Sequence, residues 1–302
     1  MLRGEFRVGL LCDVLSLPRS SFYYQVREGD ELALREAMES VALEFPRYGY
    51  RRMTAELGRR GYRANHKRIL RLMREASLLV EAKRFCRTTF SRHSYGRYPN
   101  LVKGLTVSRP DEVWCADITY IRLQREFIYL ALLMDIFTRG IRGWELARHL
   151  TEELPKAALE RALAGRHPQI HHSDQGIQYA AHGYTDLLLA SNVQISMAAR
   201  GQATENAYAE RLIRTLKEEE VYLNEYRDFD DAYGHIAHFL DDVYMYKRIH
   251  SALGYHPPAE FEAQWQARAT ELSAEQIDPL EIYRTADRPL RRLSSQRAED
   301  HT

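Results

Sequence analysis

Between residues 113 and 147, three apolar runs follow one another with only short polar breaks: VWCADITYI, FIYLALLMDI and GIRGWELA. Runs of this length, rich in β-branched and aromatic residues and broken by turn residues such as Gln124 and Arg125, read as three consecutive strands joined by hairpins. The period then changes. A helical stretch from about Thr151 to Ala164 leads to an apolar QIHH segment ending at Ser173 and Asp174. A helix around YTDLLLAS, a strand VQISM and a long helix from about Thr204 to Tyr222 follow. Three antiparallel strands followed by helix, strand, helix, strand and helix confine this region to an α/β architecture. Several such folds share that order once a boundary or two is moved.

Charge divides the chain where this region begins. The formal net charge of +1 conceals a balance of +11 over residues 1–110, where 22 Lys and Arg face 11 Asp and Glu. Residues 111–302 carry −10, from 21 basic against 31 acidic residues. A basic half suits a polyanionic partner, because each phosphate it neutralises releases condensed counterions; an acidic half needs cations before it can hold phosphate. The plainer reading, that basic side chains only solvate helices, is weakest from Arg47 to Arg109, where 17 basic residues meet 3 acidic ones.

Two helix pairs are legible in the basic half. Residues 8–25, VGLLCDVLSLPRSSFYYQ, read as a short apolar helix, a turn at Leu17 and Pro18, and a second helix capped by a serine. A clearer pair is RRMTAELGRR, a turn at Gly61 and Tyr62, and NHKRILRLMREA with Asn65 as its cap. In the latter helix Ile69, Leu72 and Met73 recur on an inner face and leave Lys67, Arg68, Arg71 and Arg74 largely outside it, as a helix lying along a DNA groove requires. Helix pairs of this shape also occur in proteins that bind no DNA. Residues 83–110, rich in Arg, Tyr, Ser and His, read as a basic linker, and Phe229 to Trp265 as helical with a turn at HSALGYHPPAEFE. No run approaches the ~20 apolar residues needed to span a bilayer, and the N-terminus lacks a signal-peptide pattern, so a cytoplasmic protein is expected. Cys12, Cys86 and Cys115 form no Cys-x-x-Cys pair and read as reduced packing residues.

Asp117 lies inside the first strand, Asp174 just after the fourth, and Glu210 on the long helix, so three separate elements can aim carboxylates at one point. Such a trio suits phosphodiester chemistry. Two divalent cations held by hard oxygen ligands activate an attacking oxygen and stabilise the leaving one. Spacing by itself decides nothing in a chain with 42 acidic residues. An aspartate in an apolar strand needs a cation or a salt bridge in any case, Asp174 is also placed to cap the next segment, and Glu210 to pair with Arg214. Asp135, in LLMDIFTR, reads as a turn-fixing residue, and His171 and His172 as orienting or packing residues.

The surroundings of the trio are more specific: WCADITY about Asp117, HHSDQGIQY about Asp174 and ENAYAERLIRTLKEE about Glu210. These strings resemble the integrase core of family-three insertion-sequence transposases, specifically the second-frame product, within the retroviral-integrase superfamily. The resemblance covers residues 10–264. It implies a ribonuclease H-like core, whose element order matches the one above, with Asp117, Asp174 and Glu210 as catalytic metal ligands for two Mg²⁺ or Mn²⁺ ions. A basic residue seven positions after the glutamate also belongs to the pattern; here it is Lys217. At about 100° per residue, Asn206, Glu210, Arg214 and Lys217 project within roughly an 80° sector, while Ala209, Leu212, Ile213 and Leu216 form the packing stripe. Lys217 and Arg214 are therefore expected at the DNA backbone. Near the end, KRIHSALGYHPPAEFE resembles the family's ending, with Arg248 and His250 holding the turn or touching DNA; Met245 departs from it, since most relatives have Asn there.

The expected organisation is an N-terminal helix-turn-helix segment (1–45), a helix-turn-helix DNA-binding module (46–82), a basic linker (83–110), an α/β integrase core (111–225), a helical extension (226–268) and a flexible tail (269–302). Expected partners are element ends and target DNA, further copies of the chain as a homodimer or larger assembly, and an upstream-frame product or fusion, with no membrane. The rival is a non-catalytic, transposase-derived DNA-binding repressor, whose signature would be a lost carboxylate. All three are present.

Overall fold

The computed structural model describes residues 8–14, 16, 18, 19, 28–79, 98–199 and 206–275. They belong to two units, residues 1–81 and 82–302. The second helix expected near residues 20–25, Cys86, much of the basic linker and the stretch from 276 onward lie outside the described residues.

In the first unit, α1 (Val8–Val14) precedes a 17-residue helix, α2 (Glu28–Glu44), then α3 (Tyr50–Arg59) and α4 (His66–Glu75). Asn65 caps α4 as expected, its side chain accepting the amide of Lys67 at 2.9 Å. Helix α3 stops because Gly61 adopts φ +90°, which lets the amides of Gly61 and Tyr62 turn back to the carbonyls of Gly58 and Leu57. Met38 and Val41 of α2, Met53 and Leu57 of α3, and Ile69, Leu72 and Met73 of α4 are all buried together. Each such side chain contributes about 1.5–3 kcal/mol of burial, so the apolar stripe rather than helix propensity holds the three helices together.

The second unit is built on a five-stranded sheet, β1 (Val113–Arg122), β2 (Phe127–Asp135), β3 (Ile141–Ala147), β4 (Ile170–Ser173) and β5 (Gln194–Met197), in spatial order β3-β2-β1-β4-β5. The first three strands pair antiparallel as hairpins, and β4 and β5 add in parallel on the far side of β1. Helices α5 (Glu153–Leu163), α6 (Ile177–Ala180) and α7 (His182–Ala190) precede β5, and α8 (Ala207–Leu216) follows it. The chain then continues into α9 (Phe229–Ala237) and α10 (Pro258–Glu275). Alternation along β1 sorts the core into two layers. Val113, Cys115 and Ile121 pack with Leu212, Leu216, Ile236 and Leu240, whereas Trp114 and Ala116 pack with Leu159, Tyr184 and Leu188. With both faces covered, β2 is the near-continuous apolar run read in the sequence. Gly143 lets α5 approach β3, since a Cβ there would meet the carbonyl oxygen of Ala158.

The long helix read from Thr204 to Tyr222 is interrupted in character: α-helical hydrogen bonding ends at Leu216 and a wider π-helical stretch runs from Lys217 to Val221. A second such stretch, His238–Lys247, extends α9. No helix among the described residues is long and apolar enough to cross a membrane.

Candidate active site

Strand pairing sets the site. β1 and β4 run parallel, and their last pair is Cys115 with His172. Asp117 and Asp174 each lie two residues past that last pair, Asp117 still within β1 and Asp174 just after β4. One Asp117 oxygen accepts the amide of Ile118 at 2.8 Å. One Asp174 oxygen accepts the amide of Gly176 at 2.9 Å, so Asp174 does cap its turn while its carboxylate remains at the strand end. A Cβ at Gly176 would stand 2.9 Å from that Asp174 oxygen and crowd it.

Helix α8 supplies the third carboxylate. Asn206, buried at its N-terminus, donates to the carbonyl oxygen of Ala116 at 3.0 Å and so fastens the first turn of the helix to β1 beside Asp117. Glu210, one turn on, is exposed. Burial, and next the Asp174 carboxylate with Glu210 adding, push the Asp117 carboxyl up to about 8, against the pull of the Ile118 amide and Lys217. Lys217 is half-buried, its ammonium 4.8 Å from the centre of the Tyr120 ring. Burial lowers its pKa while the Asp117 carboxylate raises it, which places the ammonium in the field of the same carboxylate. Arg214 lies exposed one turn after Glu210. Among the described residues no three His, Cys, Asp or Glu side chains are gathered closely enough to hold a metal ion. Two buried polar atoms in this neighbourhood, the Asn206 Oδ1 and the Tyr179 hydroxyl, have no hydrogen-bond partner among the described residues.

The residues set aside in the sequence take structural roles. His171 Nε2 meets the Tyr184 hydroxyl at 2.8 Å, and burial lowers the His171 pKa to about 3, so it stays neutral. His172 Nδ1 meets Ser196 Oγ at 2.8 Å, tying β4 to β5. Asp135 is fully buried and accepts from the amides of Asp111 and Thr138, both at 2.6 Å, which makes it the turn-fixing residue the sequence suggested.

Family models for an integrase core domain match residues 107–203 and 191–258, and a model for an HTH-like domain matches residues 29–85. A 31 kDa protein of insertion element IS600 from Shigella sonnei is 32% identical over 86% of this chain and 100% of its own length. Transposase InsF for insertion sequence IS3A from Escherichia coli (strain K12) is 30% identical over 86% of this chain and 95% of its own. A chain from a simian T-cell lymphotropic virus intasome, solved with PP2A regulatory subunit B56 gamma, aligns at 16% identity and a TM-score of 0.46 over 69% of this chain and 70% of that one.

The chain belongs to the family-three insertion-sequence transposases.

Its five-stranded mixed sheet is the ribonuclease H-like integrase core, and its first unit carries the HTH-like domain of this transposase. That match begins at residue 29, inside α2, a helix the sequence reading did not separate from the N-terminal segment. The basic face of α4 is divided. Arg68 and Arg71 reach Glu31 of α2 at 3.4 and 3.3 Å, and Arg71 also reaches Glu75 at 2.8 Å. Lys67 and Arg74 stay exposed and outside this network. Arg248 is buried and makes a two-point ion pair with Glu219 at 2.6 and 2.8 Å, so it holds the ending of the transposase to the π-helical stretch after α8. At the position of the family's Asn, the Met245 thioether accepts the amide of Ile141 at 3.2 Å.

Proposed function

We propose that this transposase cuts insertion-sequence ends and joins them to target DNA with Asp117, Asp174 and Glu210 as its catalytic metal ligands. The observation that supports the reading is that Asp174, just after the β4 that pairs with β1, and Glu210 both raise the Asp117 pKa through their charges. Two features support a metal there. The donors are three carboxylates, the hard oxygen ligands that Mg²⁺ and Mn²⁺ take, and the unpartnered Asn206 Oδ1 adds a buried acceptor next to them. Two such ions would supply an activated attacking oxygen and a stabilised leaving oxygen.

The chain's own residues do the rest. Asp117 and Asp174 project from the rigid sheet and Glu210 from the helix that Asn206 fastens to it. Lys217, steadied over Tyr120, and Arg214 hold the DNA backbone near the reacting phosphate and fix which bond lies in line. Water attacks first and releases a 3′-hydroxyl; that hydroxyl then attacks a second phosphodiester, so one P–O bond forms for each that breaks. In the first unit, Lys67 and Arg74 are assigned to phosphate contact, and Arg68 and Arg71 to holding α4 on α2. Joining two ends calls for at least a homodimer, with an upstream-frame product as a further partner.

Incubating the full chain with labelled element ends and Mg²⁺ or Mn²⁺ tests this. Asp117→Asn, Asp174→Asn and Glu210→Gln should each abolish cleavage and joining while leaving DNA affinity intact. Metal-dependent cleavage by any one of these variants removes that residue from the site.

A further inference from the structure

Tyr120 on β1 and Phe127 on β2 leave much of their aromatic surface in solvent, 49% and 47% exposed. The register pairs Tyr120 with Tyr129 and Arg122 with Phe127, so the two rings meet on the diagonal, edge to face with their centres 5.7 Å apart. Tyr129, directly opposite Tyr120, packs against the core, which closes without the exposed pair. Each exposed ring carries a cation. The Lys217 ammonium stands 4.8 Å from the centre of Tyr120, and the Arg122 guanidinium 5.9 Å from that of Phe127. Among the described residues neither cation is in an ion pair, and the acidic residue of the hairpin turn, Glu126, is engaged by Arg148.

A cross-strand aromatic pair also stabilises a hairpin, but that role calls for neither half-exposed rings nor two unpaired cations beside them. Exposed π faces next to free positive charge suit a polymer that alternates planar bases with phosphates. In duplex DNA each base face is covered by its neighbour in the stack, so only an unpaired base can lie on these rings. A second copy of the chain fits the patch less well, because a symmetric contact would set Arg122 and Lys217 against their own counterparts.

We propose that Tyr120 and Phe127 form a stacking platform for an unpaired DNA base, with Arg122 and Lys217 holding the phosphates beside it. The proposal rests on reading Lys217 as a contact to the DNA backbone, and it adds where the strand goes from there. Tyr120 lies three residues along β1 from Asp117, about 10 Å at the rise of a strand, and on the other face. The platform therefore takes a base that flanks the reacting phosphate, not the reacting nucleotide itself.

Full-length wild type, Tyr120→Phe, Tyr120→Leu and Phe127→Leu are titrated into an oligothymidine strand carrying one 2-aminopurine, whose fluorescence falls when the base stacks, and into a duplex of the element end. Wild type and Tyr120→Phe should quench the probe. The leucine variants keep apolar area but have no π face; they should lose most of the quenching and bind the single strand about 10-fold more weakly, with duplex affinity unchanged. Quenching and affinity equal to wild type in both leucine variants overturn the proposal and leave the DNA-cutting reading standing. Unchanged quenching with a lower melting temperature assigns the pair to hairpin stability, and unchanged quenching with a changed oligomeric state in sedimentation assigns it to contact between copies; either overturns the proposal. Photo-crosslinking of wild type through 5-iodouracil in the same strand needs no variant: cross-links should map to Tyr120 or Phe127, and cross-links confined to residues 1–81 overturn it. Wild type that binds neither DNA removes the DNA reading and this proposal together.

Discussion

At the residue scale the site is a set of like charges held in place by the backbone. Asp117 was conspicuous in the sequence because an ionised carboxylate inside an apolar strand is costly unless it is paired. Burial and Asp174 push its pKa up to about 8, above the value of about 4 for an unfolded chain. The folded state then binds more protons than the unfolded state between those values, so the stability contributed by the protonated carboxyl is lost as pH rises through that window. In EDTA the melting temperature should accordingly fall between about pH 4 and pH 8. Asp117→Asn should flatten that fall and melt higher than wild type at pH 8, and added Mg²⁺ should narrow the gap by stabilising only wild type. Equal melting temperatures for the two proteins at pH 8 in EDTA would show that Asp117 stores no such repulsion. Asn206, in contrast, was not singled out on its own, though it ties α8 to β1 beside Asp117. An orphaned polar atom is a property of the surroundings and leaves no mark on the residue itself.

At the element scale the packing stripes were legible and the polar faces were not. Ile69, Leu72 and Met73 on α4, and Leu212 and Leu216 on α8, are buried where helical spacing put them. The four basic residues of α4 looked equivalent in sequence, yet Glu31, about 40 positions earlier, engages Arg68 and Arg71 and leaves Lys67 and Arg74 free of the network. Lys67→Ala and Arg74→Ala should therefore each weaken DNA binding and reduce the slope of log K against log salt by about 0.9, without changing the melting temperature. Arg71→Ala should instead lower the melting temperature of the first unit. Filter binding across a salt series and thermal melts distinguish the two pairs, and a salt slope unchanged in both Lys67→Ala and Arg74→Ala would take α4 off the DNA. A single regular period likewise hid the change of hydrogen bonding at Lys217, where α8 widens into a π-helical stretch.

At the scale of the whole molecule, the core unit is closed by charge as well as by apolar packing. Arg142 on β3, with its side chain 7% exposed, meets Asp111 at 3.3 Å, Asp135 at 3.7 Å and Glu262 of α10 at 2.8 Å, and Arg166 joins Asp111 and Glu262. Burial pushes the Glu262 carboxyl up, but the Arg142 and Arg166 guanidiniums outweigh it and hold it below its ordinary range. Phe137 lies tilted against Phe261 and edge-on to Trp265 beside this network, so α10 is bound to the β2–β3 turn by apolar and ionic contacts together. Arg142→Met removes the guanidinium nearest the buried Asp135 and one of the two that hold Glu262, and should cost about 3 kcal/mol in urea unfolding, while DNA binding by the first unit persists. An unchanged unfolding midpoint would show that the cluster is neutral to stability.

The sequence by itself determined the order of strands and helices, the Asn65 cap and the turn role of Asp135, and it named the three candidate carboxylates. Each is written in local periodicity, in a side chain next to the backbone it serves, or in short strings that resemble a family. The tertiary structure alone decided which strand stands beside β1 and in what register, which arginines of α4 are already spent on α2, and why Met245 serves as acceptor for Ile141. Those outcomes depend on contacts between residues tens of positions apart. They are fixed by how two layers of helix close on a sheet, because the hydrophobic effect that drives the closure is non-directional and only packing and hydrogen bonding select the register.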